Sequence, residues 1–141
     1  MVKEAEPLVE ETYQDPNRPW MRQYRALLMA LHGKQQEAEA MVPSILENLE
    51  RIRGYHHGTY NNARIHALGG KSKEAVKWLR VTVNEGFPCY PLFAHDSFLN
   101  PIRKDLAFLQ FMSEMKAHWG GIQMRMKCLM LSVNLSRWRK E

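Results

Sequence analysis

The chain has 141 residues, 45% of them hydrophobic, which suits one domain with a modest core. Its two cysteines, Cys89 and Cys128, form no CxxC pair, and no stretch approaches the roughly 20 apolar residues needed to span a bilayer. The net charge is +5. The cysteine spacing suggests neither a disulfide scaffold nor a zinc site, so we expect reduced cysteines. The N-terminus shows no apolar run of signal-peptide length, so we expect a cytoplasmic protein.

The positive charge is concentrated at the C-terminal end. Residues 122–141 carry five basic residues against one acidic residue, a net charge of +4, which leaves +1 for residues 1–121. A nucleic-acid-binding body would show a basic face of its own, so the charge gives little support to that function for the body.

The N-terminal segment, residues 1–18, is acidic and contains Pro7 and Pro16, with Pro19 directly after it. Acidic, proline-containing ends often lack stable structure, so we expect this segment to be only partly ordered.

An internal repeat follows. Residues 26–38 (ALLMALHGKQQEA) and residues 63–75 (ARIHALGGKSKEA) are identical at seven of thirteen positions, at an offset of 37 residues. Glycine adopts the left-handed conformation that ends a helix, so Gly33 and Gly70 each predict a helix end before a very short turn. The alanines that flank each turn allow two antiparallel helices to approach closely. The sequence therefore predicts two helical hairpins.

Apolar residues at helical spacing predict helices over about 19–32, 34–51, 56–69, 71–85 and 105–118. Pro43 lies inside the second of these helices, so we expect a bend near 41–44. The intervening loop, 86–100, is rich in aromatic residues, which we expect to fill the core. They are Phe87, Tyr90, Phe93 and Phe98.

The repeated pattern of a small residue, a glycine turn and Glu-Ala resembles the tetratricopeptide repeat (TPR), a 34-residue pair of antiparallel helices. The stretch HHGTYNNARIHALGGKSKEAVKWL, the loop EGFPCYP and HDSFLNPIRKDLAFLQFM resemble TPR regions attached to bacterial signalling proteins, such as eukaryotic-like kinases, nucleotide cyclases and transcriptional regulators. This chain departs from the pattern in its offset of 37, in Arg22 and Thr59 at the usual tryptophan position, and in Pro43.

The resemblance implies an all-α fold, with antiparallel hairpins stacked as a short right-handed solenoid. It implies repeats at about 19–55 and 56–88, a divergent helical unit at 89–119 and a tail at 120–141. Two repeats are fewer than the three usually needed, so the C-terminal unit or homodimerisation must cover the exposed face.

In a solenoid, the first helix of each repeat lines a concave binding surface. The repeat alignment places partner-binding residues there on both first helices, with Tyr60 and Arg64 as the preferred pair because aromatic and arginine side chains dominate binding hot spots. The alternative is that Tyr60 packs in the core and Arg64 is solvated. The predicted groove residues are Trp20, Gln23, Leu27 and Ala30 in the first copy and His57, Tyr60, Arg64 and Ala67 in the second.

Chemical functions find little support in the sequence. His56, His57 and His66 have no carboxylate or cysteine at ligand spacing, and no nucleophile, phosphate-loop or dinucleotide motif is present. We therefore predict no enzyme activity, no cofactor, no metal and no small-molecule substrate. The expected function is binding of a protein or peptide.

Three interpretations of the tail, residues 120–141, stay open. It can be a helix that caps the solenoid, a basic amphipathic segment that contacts a partner, nucleic acid or an anionic membrane, or a disordered or non-native extension. The second interpretation gives the alternative function, a small helical regulator that acts through its tail.

Overall fold

The computed structural model of the chain describes residues 2–16, 18, 20–51 and 55–137, and the side chains of 4–16, 18, 20–47 and 55–126. Every regular element within these residues is helical. The all-α prediction is therefore confirmed. The elements are α1 (Val2–Thr12), α2 (Met21–Leu31), α3 (Gln35–Arg51), α4 (Tyr55–Leu68), α5 (Ser72–Asn84), α6 (Tyr90–His95), the 3₁₀ helix η1 (Ser97–Ile102) and α7 (Leu106–Arg137).

The two predicted glycine turns have the same geometry. Gly33 has φ +77° and Gly70 has φ +69°, the left-handed region that favours glycine. In the first turn the Lys34 amide donates to the Met29 carbonyl at 2.9 Å, and in the second the Lys71 amide donates to the His66 carbonyl at 2.9 Å. These bonds are those of a Schellman cap, so both copies of the repeat end their first helix in the same way.

The repeated alanines lie in the core as expected. Ala26, Ala38, Ala63 and Ala75 are fully buried. Helix α2 packs on α3, and α4 packs on α2, α3 and α5. The small side chains let the helices of each hairpin approach closely, and α4 becomes the central helix of the molecule.

Two segments differ from their sequence-based expectations. The 86–100 region, predicted as a loop, contains the short helices α6 and η1, although its aromatic residues do pack inward, with Phe93 fully buried. The last helix, predicted to end near 118, continues through Gly120 and Gly121 to Arg137. Glycine weakens a helix interior by about 1 kcal/mol without forbidding it, so two glycines did not end this helix.

The N-terminal segment and α3 each show continuous helix. Residues 2–12 form α1, which packs on α2 and buries Val9. Helix α3 runs through Pro43 without interruption, and the Ser44 hydroxyl donates to the Met41 carbonyl at 2.9 Å beside it. The structure therefore covers the outer side of α2 with an additional helix that the repeat pattern did not predict.

Candidate functional site

A buried polar cluster joins α4 to the segment before η1. The Tyr60 hydroxyl donates a hydrogen bond to Asp96 Oδ2, and Arg64 Nε donates to the same oxygen at 2.6 Å. Arg64 also donates to Asn61 Oδ1 at 2.9 Å, and Asn61 Nδ2 donates to Gln23 Oε1 on α2 at 2.8 Å. One chain of hydrogen bonds thus connects α2, α4 and the turn before η1.

Arg64 is the centre of this cluster. Its guanidinium lies over the Tyr60 ring, 4.2 Å from the ring centroid, and 5.1 Å from the centroid of Phe98. Its side chain is 19% exposed. The cation is therefore held by a carboxylate, an amide and two aromatic faces, which fixes its orientation at the surface.

The local fold explains why Asp96 lies there. Asp96 Oδ1 accepts a hydrogen bond from the Phe98 amide at 3.0 Å and so caps η1. Arg103 donates to the carbonyls of Ala94 and Asp96, each at 2.6 Å. These contacts hold the turn between α6 and η1 in one conformation and present the Asp96 carboxylate to α4.

Burial, followed by the hydrogen bond to Asp96, raises the pKa of Tyr60 well above its usual range. The phenol therefore stays protonated at neutral pH and acts as a hydrogen-bond donor. Its partner atom is already bonded to Arg64. The arrangement positions α4 against the turn that begins η1.

An apolar cleft opens beside this cluster. It encloses about 340 Å³ between α1, α2, α4 and η1. Arg64 and Phe98 form one wall, so the polar cluster holds part of this wall in place. We refer to it as the α1–α2 cleft, and its lining residues are Ala5, Leu8, Val9, Met21, Tyr24, Leu27, Leu28, Leu31, Arg64 and Phe98.

Polar contacts at the edges hold α1 over α2. Arg25 Nε lies 3.2 Å from Glu10 Oε2, and its guanidinium lies 4.1 Å from the centroid of the Tyr13 ring. His32 Nε2 lies 3.1 Å from Glu6 Oε1. The cleft therefore has an apolar floor and an edge on which the acidic residues of α1 meet α2.

The predicted groove residues fall into two groups. Gln23, Leu27 and Tyr60 are at most 6% exposed, so they offer a partner little surface of their own. Ala30 and Ala67 are also buried in the core. Leu27 and Arg64 line the α1–α2 cleft.

The other two predicted groove residues are exposed. Trp20 is 42% exposed directly before α2. His57 lies at the start of α4, where its ring centroid is 4.1 Å from that of His56 and 6.3 Å from that of Phe87. Burial, together with the neighbouring His56, lowers the pKa of His57. The structure thus does not bring His57 into the cleft.

Sequence reasoning missed the contribution of α1 and η1. Leu8 is 54% exposed and Tyr24 is 41% exposed at the cleft. Ala5, Leu8 and Val9 have the i, i+3, i+4 spacing of an apolar helix face, which was the available signal in the sequence. The acidic composition and prolines of the segment outweighed it.

Metal-binding groups do not converge in the part of the chain whose side chains are described. No set of three His, Cys, Asp or Glu residues there is placed to hold an ion. Cys89 is a free, half-buried thiol. The second cysteine, Cys128, has a side chain outside the described set.

Among the described residues, no helix combines the length and apolar character required to cross a membrane. Comparison of the chain with protein-family models, with curated proteins and with solved structures gives no match.

Proposed function

We propose that the protein is a non-enzymatic protein-interaction module of the tetratricopeptide type, a short right-handed solenoid that binds a helix or peptide in the α1–α2 cleft. The observation that carries the proposal is the cleft itself. Exposed Leu8 and Tyr24 stand over a floor of buried leucines, with almost no polar atoms between them. Such a surface is suited to the apolar face of a peptide or helix.

The repeat pattern supports the solenoid part of this proposal. Two helix ends 37 residues apart share one cap geometry, and the helix of each hairpin that precedes the turn contributes to one face. Helix α2 supplies the floor of the cleft, and α4 supplies Arg64 to its wall. The proposal moves the expected binding surface from α4 toward α1, because Tyr60 and Gln23 are used in packing.

The guanidinium of Arg64 is already paired within the protein. Asp96 and Asn61 accept its hydrogen bonds, so the guanidinium contributes mainly its shape and one wall to the cleft. We therefore expect apolar contacts to dominate affinity, with Leu8 as a major contributor.

Selection from a displayed peptide library against the immobilised full chain tests the proposal. Leu8→Lys places a charge in the cleft, and Leu109→Lys is the matched control, because Leu109 is 52% exposed on α7. We expect peptides that bind the wild-type chain and Leu109→Lys but bind Leu8→Lys about tenfold or more weakly. Equal binding to both variants would show that the cleft is not the site.

A second candidate function uses the tail. Met124 is 69% exposed and Met126 is 52% exposed on α7, beside Arg125 and in a segment of net charge +4. A basic apolar helix of this kind can contact nucleic acid or an anionic membrane. Binding of the chain to anionic vesicles or to DNA that falls steeply with added salt would favour this function.

A further inference from the structure

Helix α7 carries one apolar seam that extends past the body of the protein. Met112 and Met115 pack on the core, and Trp119 and Ile122, the next residues at heptad spacing, are half-buried. Met126 continues the same 3.5-residue spacing and is 52% exposed. In the sequence Leu129 and Val133 follow at the next two positions of the pattern.

The part of α7 beyond Trp119 is long. From Gly120 to its last residue, Arg137, α7 extends for about 27 Å at 1.5 Å per residue. Its own chain does not cover the seam at Met126, since that side chain is exposed in the structure. An exposed methionine on an apolar helix seam is suited to contact with a partner surface.

Charge argues against pairing of two α7 seams. The positions that flank the seam in a heptad repeat contain no acidic residue. Two copies of α7 in contact would therefore bring cations together without compensating ion pairs. The flanking residues are Lys116, His118, Gln123, Arg125, Met130, Ser132 and Arg137.

A surface of opposite charge exists on the same protein. Helix α1 carries one lysine and four glutamates, a net charge of −3, against +4 for residues 122–141. Glu10 already pairs with Arg25 of α2, so α1 and Arg25 together carry a net charge of −2. Along this acidic helix lies the α1–α2 cleft, where Leu8 and Tyr24 are exposed above an apolar floor. One end of the chain thus has an apolar basic helix, and the other end has an apolar cleft with an acidic edge.

We propose that the C-terminal half of α7 from one copy docks in the α1–α2 cleft of a second copy. This inference rests on the proposed function of the cleft and names its occupant. Apolar contact between the seam and the cleft provides affinity, and attraction between the basic tail and α1 sets the orientation. The chain then associates head to tail, through two different surfaces.

Sedimentation velocity on the full chain tests this, using variants of confirmed helicity. We expect wild-type chains to self-associate, and Leu8→Lys and Met126→Lys each to weaken self-association about tenfold or more. The control, Leu109→Lys, changes an equally exposed leucine on α7 that lies outside the seam and should associate like wild type. Added salt should weaken association of the wild-type chain.

Mixing the two variants gives the decisive measurement. A Leu8→Lys chain keeps an intact tail, and a Met126→Lys chain keeps an intact cleft, so an equimolar mixture should regain association that neither variant shows alone. If two tails paired with each other, the Leu8→Lys chain would self-associate like wild type, because its seam is intact. Mixing it with the Met126→Lys chain would then add no association. Self-association of Leu8→Lys at wild-type strength therefore overturns the proposal.

Three further results would also overturn it. One is a wild-type chain that remains monomeric up to about 1 mM, beyond which any contact would be very weak. Another is loss of association in Leu109→Lys, which would place the outer face of α7 in the interface. The third is a monomeric chain that binds phosphatidylserine vesicles through Met126. In each case, library peptides that still require Leu8 would leave the proposed function of the cleft intact.

Discussion

Tyr60 and Asp96 are 36 residues apart in the chain, and the Tyr60 hydroxyl donates a buried hydrogen bond to the Asp96 carboxylate. The contact joins the central helix α4 to the turn that begins η1. Because Arg64 bonds to the same oxygen, the carboxylate stays paired when the phenol is removed. The pair therefore allows the contribution of a single hydroxyl to be measured.

Tyr60→Phe should lower the free energy of unfolding by about 1 kcal/mol, since a buried hydrogen bond is lost while ring packing is retained. Urea denaturation followed by circular dichroism measures this change. Tyr24→Phe is the control, because Tyr24 is exposed, and it should change stability by less than about 0.5 kcal/mol. Equal effects of the two substitutions would contradict the assigned bond.

Alkaline pH should destabilise the wild-type protein through Tyr60. Burial and the bond to Asp96 raise the pKa of Tyr60 in the folded state, whereas an unfolded tyrosine ionises near pH 10. The contribution of Tyr60 to the free energy of unfolding is thus fully present below about pH 10. It is lost as pH rises toward the folded pKa, with a slope of up to about 1.4 kcal/mol per pH unit. Stability measured from about pH 9 to about pH 11 should fall more steeply for wild type than for Tyr60→Phe. Parallel curves would rule out this linkage.

Replacing glycine by alanine should change stability in opposite directions at two positions. Gly70→Ala forces alanine into a left-handed conformation at φ +69° and should destabilise the protein by about 1 kcal/mol. Gly120→Ala replaces a glycine inside α7, where the added methyl group meets no atom, and should stabilise the helix by up to about 1 kcal/mol. Thermal unfolding of both variants provides the comparison, and a stabilising Gly70→Ala would refute the cap.

Mild acid should destabilise the protein through protonation of His66. Burial lowers the pKa of His66 in the folded state, an effect larger than the opposing influence of Glu39. A lowered pKa means that neutral His66 contributes to the free energy of unfolding fully above about pH 6.5, and that this contribution is lost as pH falls through the folded pKa. His66→Phe should therefore lose less stability than wild type between about pH 7.5 and about pH 5 in urea titrations. An unchanged pH dependence would show that His66 does not contribute.

Local signals in the sequence were sufficient for the hairpins. Gly33 and Gly70 adopt the left-handed conformation of their turns, and the alanines around them are buried in close packing. Such features depend on neighbouring residues, so a repeat at a fixed offset makes them readable. The aromatic residues near Phe93 were likewise readable as core, because their size favours burial wherever the chain can supply it.

The candidate site depended on contacts that the sequence does not display. Nothing near Asp96 indicates that its carboxylate will meet Tyr60 and Arg64, since the pairing depends on how the turn before η1 lies against α4. The cleft is formed in part by α1. The apolar spacing that predicts this helix is offset by its acidic residues and its proline, which predict a poorly ordered segment. The continuation of α7 past Gly120 depended on a balance of small helix propensities, which a glycine pair does not decide.

The contact between Tyr60 and Asp96 has a kinetic consequence. The hairpins consist of contacts between residues close in sequence, which form early, whereas docking of the α6–η1 turn onto α4 closes a loop of 36 residues. We expect this docking to follow the folding rate-limiting step. Weakening it at Asp96 would then accelerate unfolding while leaving the folding rate nearly unchanged, so the turn acts as a determinant of the lifetime of the native state.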